Sequence, residues 1–148
     1  MKLYELLEGL EGFVIKGNEQ TEITNIAYDS RKVREGSLFV CIKGFISDGH
    51  DYALQAADAK AGAIISQRDL ELSDITQVIV KDSRKALAVV SSNYFSKPAS
   101  KITMIGVTGT KGKTTVTFMT DSIIMKSGRK TALIGTIINK IGNETTEE

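Results

Sequence analysis

Leu3, Leu6, Leu7 and Leu10 recur at helical spacing, which predicts a short amphipathic helix at the front of the chain, ending near Gly9 or Gly12. Two apolar runs follow, Ile23 to Tyr28 and Leu38 to Ile42, and both read as strands. The polar stretch Asp29 to Gly36 separates them, with Gly36 and Ser37 supplying turn chemistry. That connecting segment is the first place to look for a ligand, because connections carry function on a rigid scaffold.

The alanine-rich stretch Tyr52 to Ala61 favours helix, and Ala63-Ile64-Ile65 and Gln77 to Val80 read as short buried strands. Asp82 or Ser83 can cap a further helix whose inward face is Ala86, Leu87, Val90 and Tyr94, and which must stop before Pro98, the only proline. Strands alternating with helices predict an α/β layer. Ser96 to Ser100 is the expected domain boundary, dividing the chain into residues 1–97 and 98–148.

Past that boundary, Ile102 to Val107 is expected to form an apolar strand, and a glycine-rich loop follows it. Val116, Met119, Ile123 and Ile124 then mark a helix ending near Gly128, and Thr131 to Gly135 supplies the next strand. Strand, helix and strand in that order predict one right-handed βαβ unit. One such unit cannot cover both faces of a parallel sheet, so the second domain reads as incomplete. Asn143 to Glu148 show no closing strand or helix, and no internal repeat or low-complexity tract stands out.

Composition narrows the class. The 148 residues are 41% hydrophobic and 25% charged, with a net charge of +1 and scattered lysines, so neither a nucleic acid nor a membrane surface is indicated as a partner. Cys41, the only cysteine, lies inside the second apolar run and reads as a small buried hydrophobe. With no apolar signal region, and no segment near the roughly 18 apolar residues that span a bilayer, a cytoplasmic location is expected. His50, the only histidine, has no Cys/His cluster around it in the sequence, so neither a zinc site nor histidine-based catalysis is expected.

The strongest chemical signal is Gly106-Val107-Thr108-Gly109-Thr110-Lys111-Gly112-Lys113-Thr114-Thr115, set between an apolar run and a helical pattern. Glycines let successive N–H groups turn toward a polyphosphate, and the following helix adds its positive end. Lys113 would reach the β- and γ-phosphates of ATP, and the Thr114 hydroxyl suits a magnesium ligand. The strict phosphate-loop pattern wants glycine where Val107 stands.

The form Thr108-Gly109-Thr110-Lys111-Gly112-Lys113-Thr114-Thr115 resembles the loop of the Mur ligase family, T-G-T-N-G-K-T-T, which ordinarily lacks that first glycine. Lys111 departs from the family, standing at the usual asparagine position. Asp29-Ser30-Arg31-Lys32-Val33, Gly36-Ser37-Leu38-Phe39-Val40 and Gly44 with Asp48-Gly49-His50 resemble the D-S-R-x-V, G-x-L-F-V and G-x-x-x-D-G-H signature of the family's UDP-sugar-binding domain. Together these cover nearly the whole chain, and the resemblance is strongest to the branch that adds the third peptide residue to a cell-wall precursor.

The resemblance implies a small α/β domain that binds the UDP-substrate, followed by the truncated start of an ATP-binding domain. It implies ATP-binding by Gly109, Thr110, Lys111, Gly112, Lys113, Thr114 and Thr115, with Lys113 as the catalytic contributor and Mg2+ at Thr114. Ser30 would contact the uridine-diphosphate part of the substrate, with Tyr28 and Gly44 to Ser47 nearby. The partners implied are UDP-N-acetylmuramoyl dipeptide and a free amino acid, either meso-diaminopimelate or lysine, joined through an acyl phosphate, with no obligate protein partner. The family's remaining catalytic parts and its amino-acid-selecting domain do not occur in these 148 residues, so the chain by itself is expected to be inactive. Asp29 and Arg31 could instead form an internal ion pair, and His50 could cap the next helix. Three other readings stay open: the sister branch that adds the terminal dipeptide, a binding module without chemistry, and a phosphate-loop switch.

Overall fold

The computed structural model describes residues 1–142 and 144–146, and it falls into two units, residues 1–102 and residues 103 onward. In the first unit β2 (Asn25–Ala27), β3 (Ser37–Val40), β4 (Ala63–Ser66) and β5 (Thr76–Ile79) are parallel neighbours. β1 (Val14–Lys16) lies antiparallel on the outer edge of β5, giving the order β1-β5-β4-β3-β2. The register is set by pairs such as Ile26 with Leu38 and Phe39 with Ile64.

Every residue of β3 and of β4 is buried, as a parallel sheet covered on both faces requires. Because side chains alternate along a strand, Leu38 and Val40 join a core with Leu3 and Leu6 of α1 (Leu3–Leu6) and Ala86 and Val90 of α3 (Ser83–Tyr94). Phe39 and Cys41 join a second core with Ala53 and Ala56 of α2 (Ala53–Asp58). The result is three layers with the sheet in the middle, the α/β class that the alternating pattern predicts.

Asp82 caps α3, accepting from Arg84 N at 2.8 Å and Lys85 N at 3.1 Å. The helix ends at Tyr94, before Pro98. From α3, Asn93 donates to the Leu6 carbonyl at 2.9 Å and the Glu8 carbonyl at 2.8 Å. These are carbonyls that a short helix cannot satisfy at its own C-terminal end, so one side chain joins α1 to α3.

The second unit departs from expectation. α4 (Lys113–Lys126) forms as predicted, but residues 103–109 enter no strand, and β6 (Ala132–Ile134) pairs antiparallel with β7 (Asn139–Ile141), which pairs with β8 (Glu144–Thr146). The expected βαβ unit is therefore replaced, among the described residues, by a helix and a hairpin sheet. A strand needs a partner for its backbone groups, and β7 reaches β6 through a short turn whereas residues 103–109 lie beyond a whole helix, so the cheaper loop closure wins. The expectation of no strand after residue 142 is likewise overturned by β8, although Asn143, Glu147 and Glu148 fall outside the described residues. The helical stripe is real but open, with Met119 59% and Ile123 67% exposed. α4 and the hairpin also share a polar link beside the buried Leu133 of β6: the buried Asp121 carboxylate accepts from Thr131 Oγ1 at 2.5 Å and Lys140 Nζ at 2.9 Å.

Candidate functional site

Parallel strands deliver all their carboxyl ends to one edge, where ligands of open α/β sheets bind. The loops after β2, β3, β4 and β5 therefore meet at the same side of the first unit. After β2 the chain makes a 3₁₀ turn, Ser30–Lys32, capped by Asp29, which accepts from Arg31 N at 3.0 Å. Arg31 also forks onto the carboxylate, with Nε 2.9 Å from Oδ1 and Nη2 2.8 Å from Oδ2. The Arg31 side chain and N–H hold the Asp29 carboxyl down at about 2, and Asp29 in return raises the guanidinium. The internal ion pair is thus present.

A cleft of about 420 Å³ runs beside β2, bordered by Tyr28, Asp29, Arg31, Lys32 and Arg34. Tyr28 is 65% exposed, free to meet a planar group. Ser30 lies half-buried on the turn itself and does not line the cleft.

After β3 the chain turns through residues 43–49. Gly44 N donates to the Ser47 carbonyl at 2.9 Å and Gly49 N to the Ile42 carbonyl at 2.9 Å, with Lys43 and Asp48 bridged antiparallel. A Cβ at Gly49 would stand 2.6 Å from Ile42 N, so only glycine allows this close approach. Phe45 and Ile46, at the tip, are fully exposed.

His50 does not act as the helix cap. Asp48 instead caps the 3₁₀ turn Gly49–Tyr52 that leads into α2, accepting from His50 N at 3.0 Å, while α2 itself begins without a side-chain cap. The His50 ring is buried, with Nδ1 2.5 Å from Asp48 Oδ1 and Nε2 accepting from Gln67 N at 2.9 Å. The two contacts from His50 keep the Asp48 carboxyl below its usual range. Burial pushes the neighbouring Cys41 thiol up to about 12, so this cysteine is a packing group.

Two residues here escaped the sequence reading. Gln67 donates its side-chain amide to the Lys81 carbonyl at 3.0 Å, and Arg84 Nη2 donates to the Lys43 carbonyl at 3.0 Å. A signal for Arg84 existed: Asp82-Ser83-Arg84-Lys85 repeats Asp29-Ser30-Arg31-Lys32, and both aspartates cap the turn that follows.

In the second unit Gly112, with φ +77°, stands at the N-cap of α4 in a left-handed conformation natural to glycine. Lys113 is the first helical residue, and its Nζ folds back over the loop to the Gly109 carbonyl at 2.6 Å. Thr114 and Thr115 follow in the first turn, whose N–H groups have no partner within a helix. Thr108 to Thr115 are exposed, Lys111 included. The structure therefore brings a glycine-bearing loop, the Lys113 ammonium group and a helix N-terminus together at one exposed place, an arrangement suited to a polyphosphate. Among the described residues no group of three His, Cys, Asp or Glu side chains could hold a metal ion. No helix among the described residues is long and apolar enough to cross a membrane.

The model of the Mur ligase family, catalytic domain, matches residues 22–114, more than half of the chain. A relative from Clostridium perfringens, named UDP-N-acetylmuramoyl-L-alanyl-D-glutamate--2,6-diaminopimelate ligase, is 50% identical over 99% of this chain and 31% of its own length. The chain thus spans about 31% of that curated relative. Among solved structures, a 2,6-diaminopimelate ligase of the same name aligns with 99% of this chain and 30% of its own, at a TM-score of 0.76 and 22% identity, a likeness of fold. The MurF ligase of Thermotoga maritima, solved in complex with ADP, aligns with 74% of this chain and 24% of its own, at 32% identity and a TM-score of 0.55. With the matched span running from just before β2 to the start of α4, the chain belongs to the Mur ligase family.

Proposed function

We propose that this chain is the front part of an ATP-dependent ligase that adds 2,6-diaminopimelate to UDP-N-acetylmuramoyl-L-alanyl-D-glutamate in peptidoglycan precursor synthesis. The reaction would pass through an acyl phosphate on the substrate carboxylate, attacked by the incoming amine. The observation that carries the reading is the loop itself: Gly112 in a left-handed turn directly before Lys113 at the start of a 14-residue helix, in a chain whose relatives bear that ligase name.

In this reading the amides of Gly109 to Lys113 and the Lys113 ammonium hold the nucleotide's phosphates, while Thr114 offers one hydroxyl to magnesium. ATP and magnesium supply the phosphoryl group and the charge neutralisation. A single hydroxyl fits a metal whose other ligands are phosphate oxygens and water, as magnesium prefers. The carboxyl edge of the first unit receives the uridine-diphosphate part, with Ser30 and Tyr28 in contact. The domains assigned are residues 1–97 for the UDP-substrate and 98–148 for the start of the ATP-binding part. Both substrates are water-soluble metabolites, which supports a cytoplasmic setting.

Calorimetric titration of the 148-residue chain with Mg-ATP, and separately with UDP-N-acetylmuramoyl-L-alanyl-D-glutamate, tests the proposal. Saturable binding of both is expected, without ADP release in their joint presence, since the chain covers about a third of its relatives. Failure to bind either ligand would refute the assignment.

A further inference from the structure

We propose that His50 is a positioning residue for substrate binding, locking the loop of residues 43–49 in one shape as an Nδ1-protonated imidazole. The inference rests on the reading that the carboxyl edge of the first unit receives the UDP-substrate.

The loop cannot owe its shape to packing. Phe45 and Ile46 at its tip are fully exposed, so bonds at its base must hold it. Two backbone bonds, Gly44 N to the Ser47 carbonyl and Gly49 N to the Ile42 carbonyl, close the loop, and its far end is tied to the rest of the unit by His50, whose side chain is 4% exposed. A backbone N–H has only a proton to give, so Nε2, 2.9 Å from Gln67 N, must be the unprotonated acceptor. The ring proton then sits on Nδ1 and points to Asp48 Oδ1 at 2.5 Å. Asp48 is also approached by the Arg68 guanidinium at 3.8 Å, which favours its carboxylate form. One ring thereby ties the end of the loop, through Asp48, to the first residue after β4. Gln67 continues the link to Lys81, and Arg84 reaches back from α3 to the loop's first residue. The loop is thus pinned at both ends by the elements that carry the rest of the edge.

The tautomer is read on the 148-residue chain by long-range proton–nitrogen NMR correlation. An Nδ1-protonated ring is expected; a ring protonated at Nε2, or one averaging freely between the two forms, would overturn the proposal whatever the ligand does. Affinity for UDP-N-acetylmuramoyl-L-alanyl-D-glutamate is then compared among wild type, His50→Leu and His50→Gln. His50→Leu fills the buried space and makes neither bond, so a loss of about tenfold is expected. His50→Gln returns an acceptor toward Gln67 N and should recover most of that loss. Equal affinity of His50→Leu and wild type would overturn the positioning role. If wild type itself does not bind the nucleotide, the substrate reading fails, while the tautomer still decides the latch.

Discussion

Arg84 Nη2 lies 3.0 Å from the Lys43 carbonyl, joining the first turn of α3 to a loop 41 residues away in the chain. The guanidinium is on the surface, so the bond orders the loop more than it stabilises the fold. Arg84→Met is expected to weaken binding of the UDP-substrate about threefold, while urea unfolding changes by less than about 1 kcal/mol. Titration beside equilibrium denaturation separates the two effects.

Lys113 spans its own loop by donating to the Gly109 carbonyl. A charge-assisted donor of this kind contributes about 1.5–3 kcal/mol when it meets a phosphate. Lys113→Met should therefore weaken Mg-ATP binding by about tenfold or more. Since Lys113 is exposed, its circular dichroism should match wild type. Undiminished affinity would remove Lys113 from the nucleotide site.

The Asp29–Arg31 fork predicts a pH effect of definite sign. Asp29 has its carboxyl lowered from 3.8 to about 2 in the folded chain, so its favourable contribution is complete above the unfolded value and disappears as pH falls from 3.8 through about 2. Carbon NMR titration of the Asp29 carboxyl should give a midpoint near 2 in wild type. Arg31→Ala should move that midpoint up toward 3.8, since the arginine is the principal cause of the shift.

Asn93 satisfies two carbonyls of the first helical segment from inside the core. Asn93→Leu keeps the size but orphans both acceptors, one of which is buried, so a loss of about 1–3 kcal/mol in urea unfolding is expected. Asn93→Asp should do at least as much harm, because a carboxylate there would face carbonyl oxygens.

Much of the first unit was legible because its elements state their own periods. Leu3 and Leu6 of α1, the runs of β3 and β4, and the Asp82 cap each appear where spacing and propensity put them, although α1 stops at Leu6, short of the expected end near Gly9 or Gly12. The loops were half legible. The Asp29–Arg31 pair is local and could be weighed from two neighbouring letters, whereas the partners of His50 and Arg84 are Gln67 and Lys43, set by the sheet and invisible along the chain. In the second unit, Gly112 and Lys113 announced the helix start correctly. The strand expected at residues 102–107 failed for a different reason, because apolar content marks a willing strand but cannot supply the neighbour that makes one.

The front of the chain has a practical bearing. The family model begins at residue 22, yet Leu3 and Leu6 are fully buried, Ile23 N bonds to the Met1 carbonyl, and β1 occupies the outer flank of β5. A version trimmed to the matched span would bare the greasy underside of the sheet and leave a naked ladder of backbone groups beside it, the kind of edge on which proteins stack. Anyone shortening this protein for crystallisation or screening should keep the first 21 residues, which the family span omits.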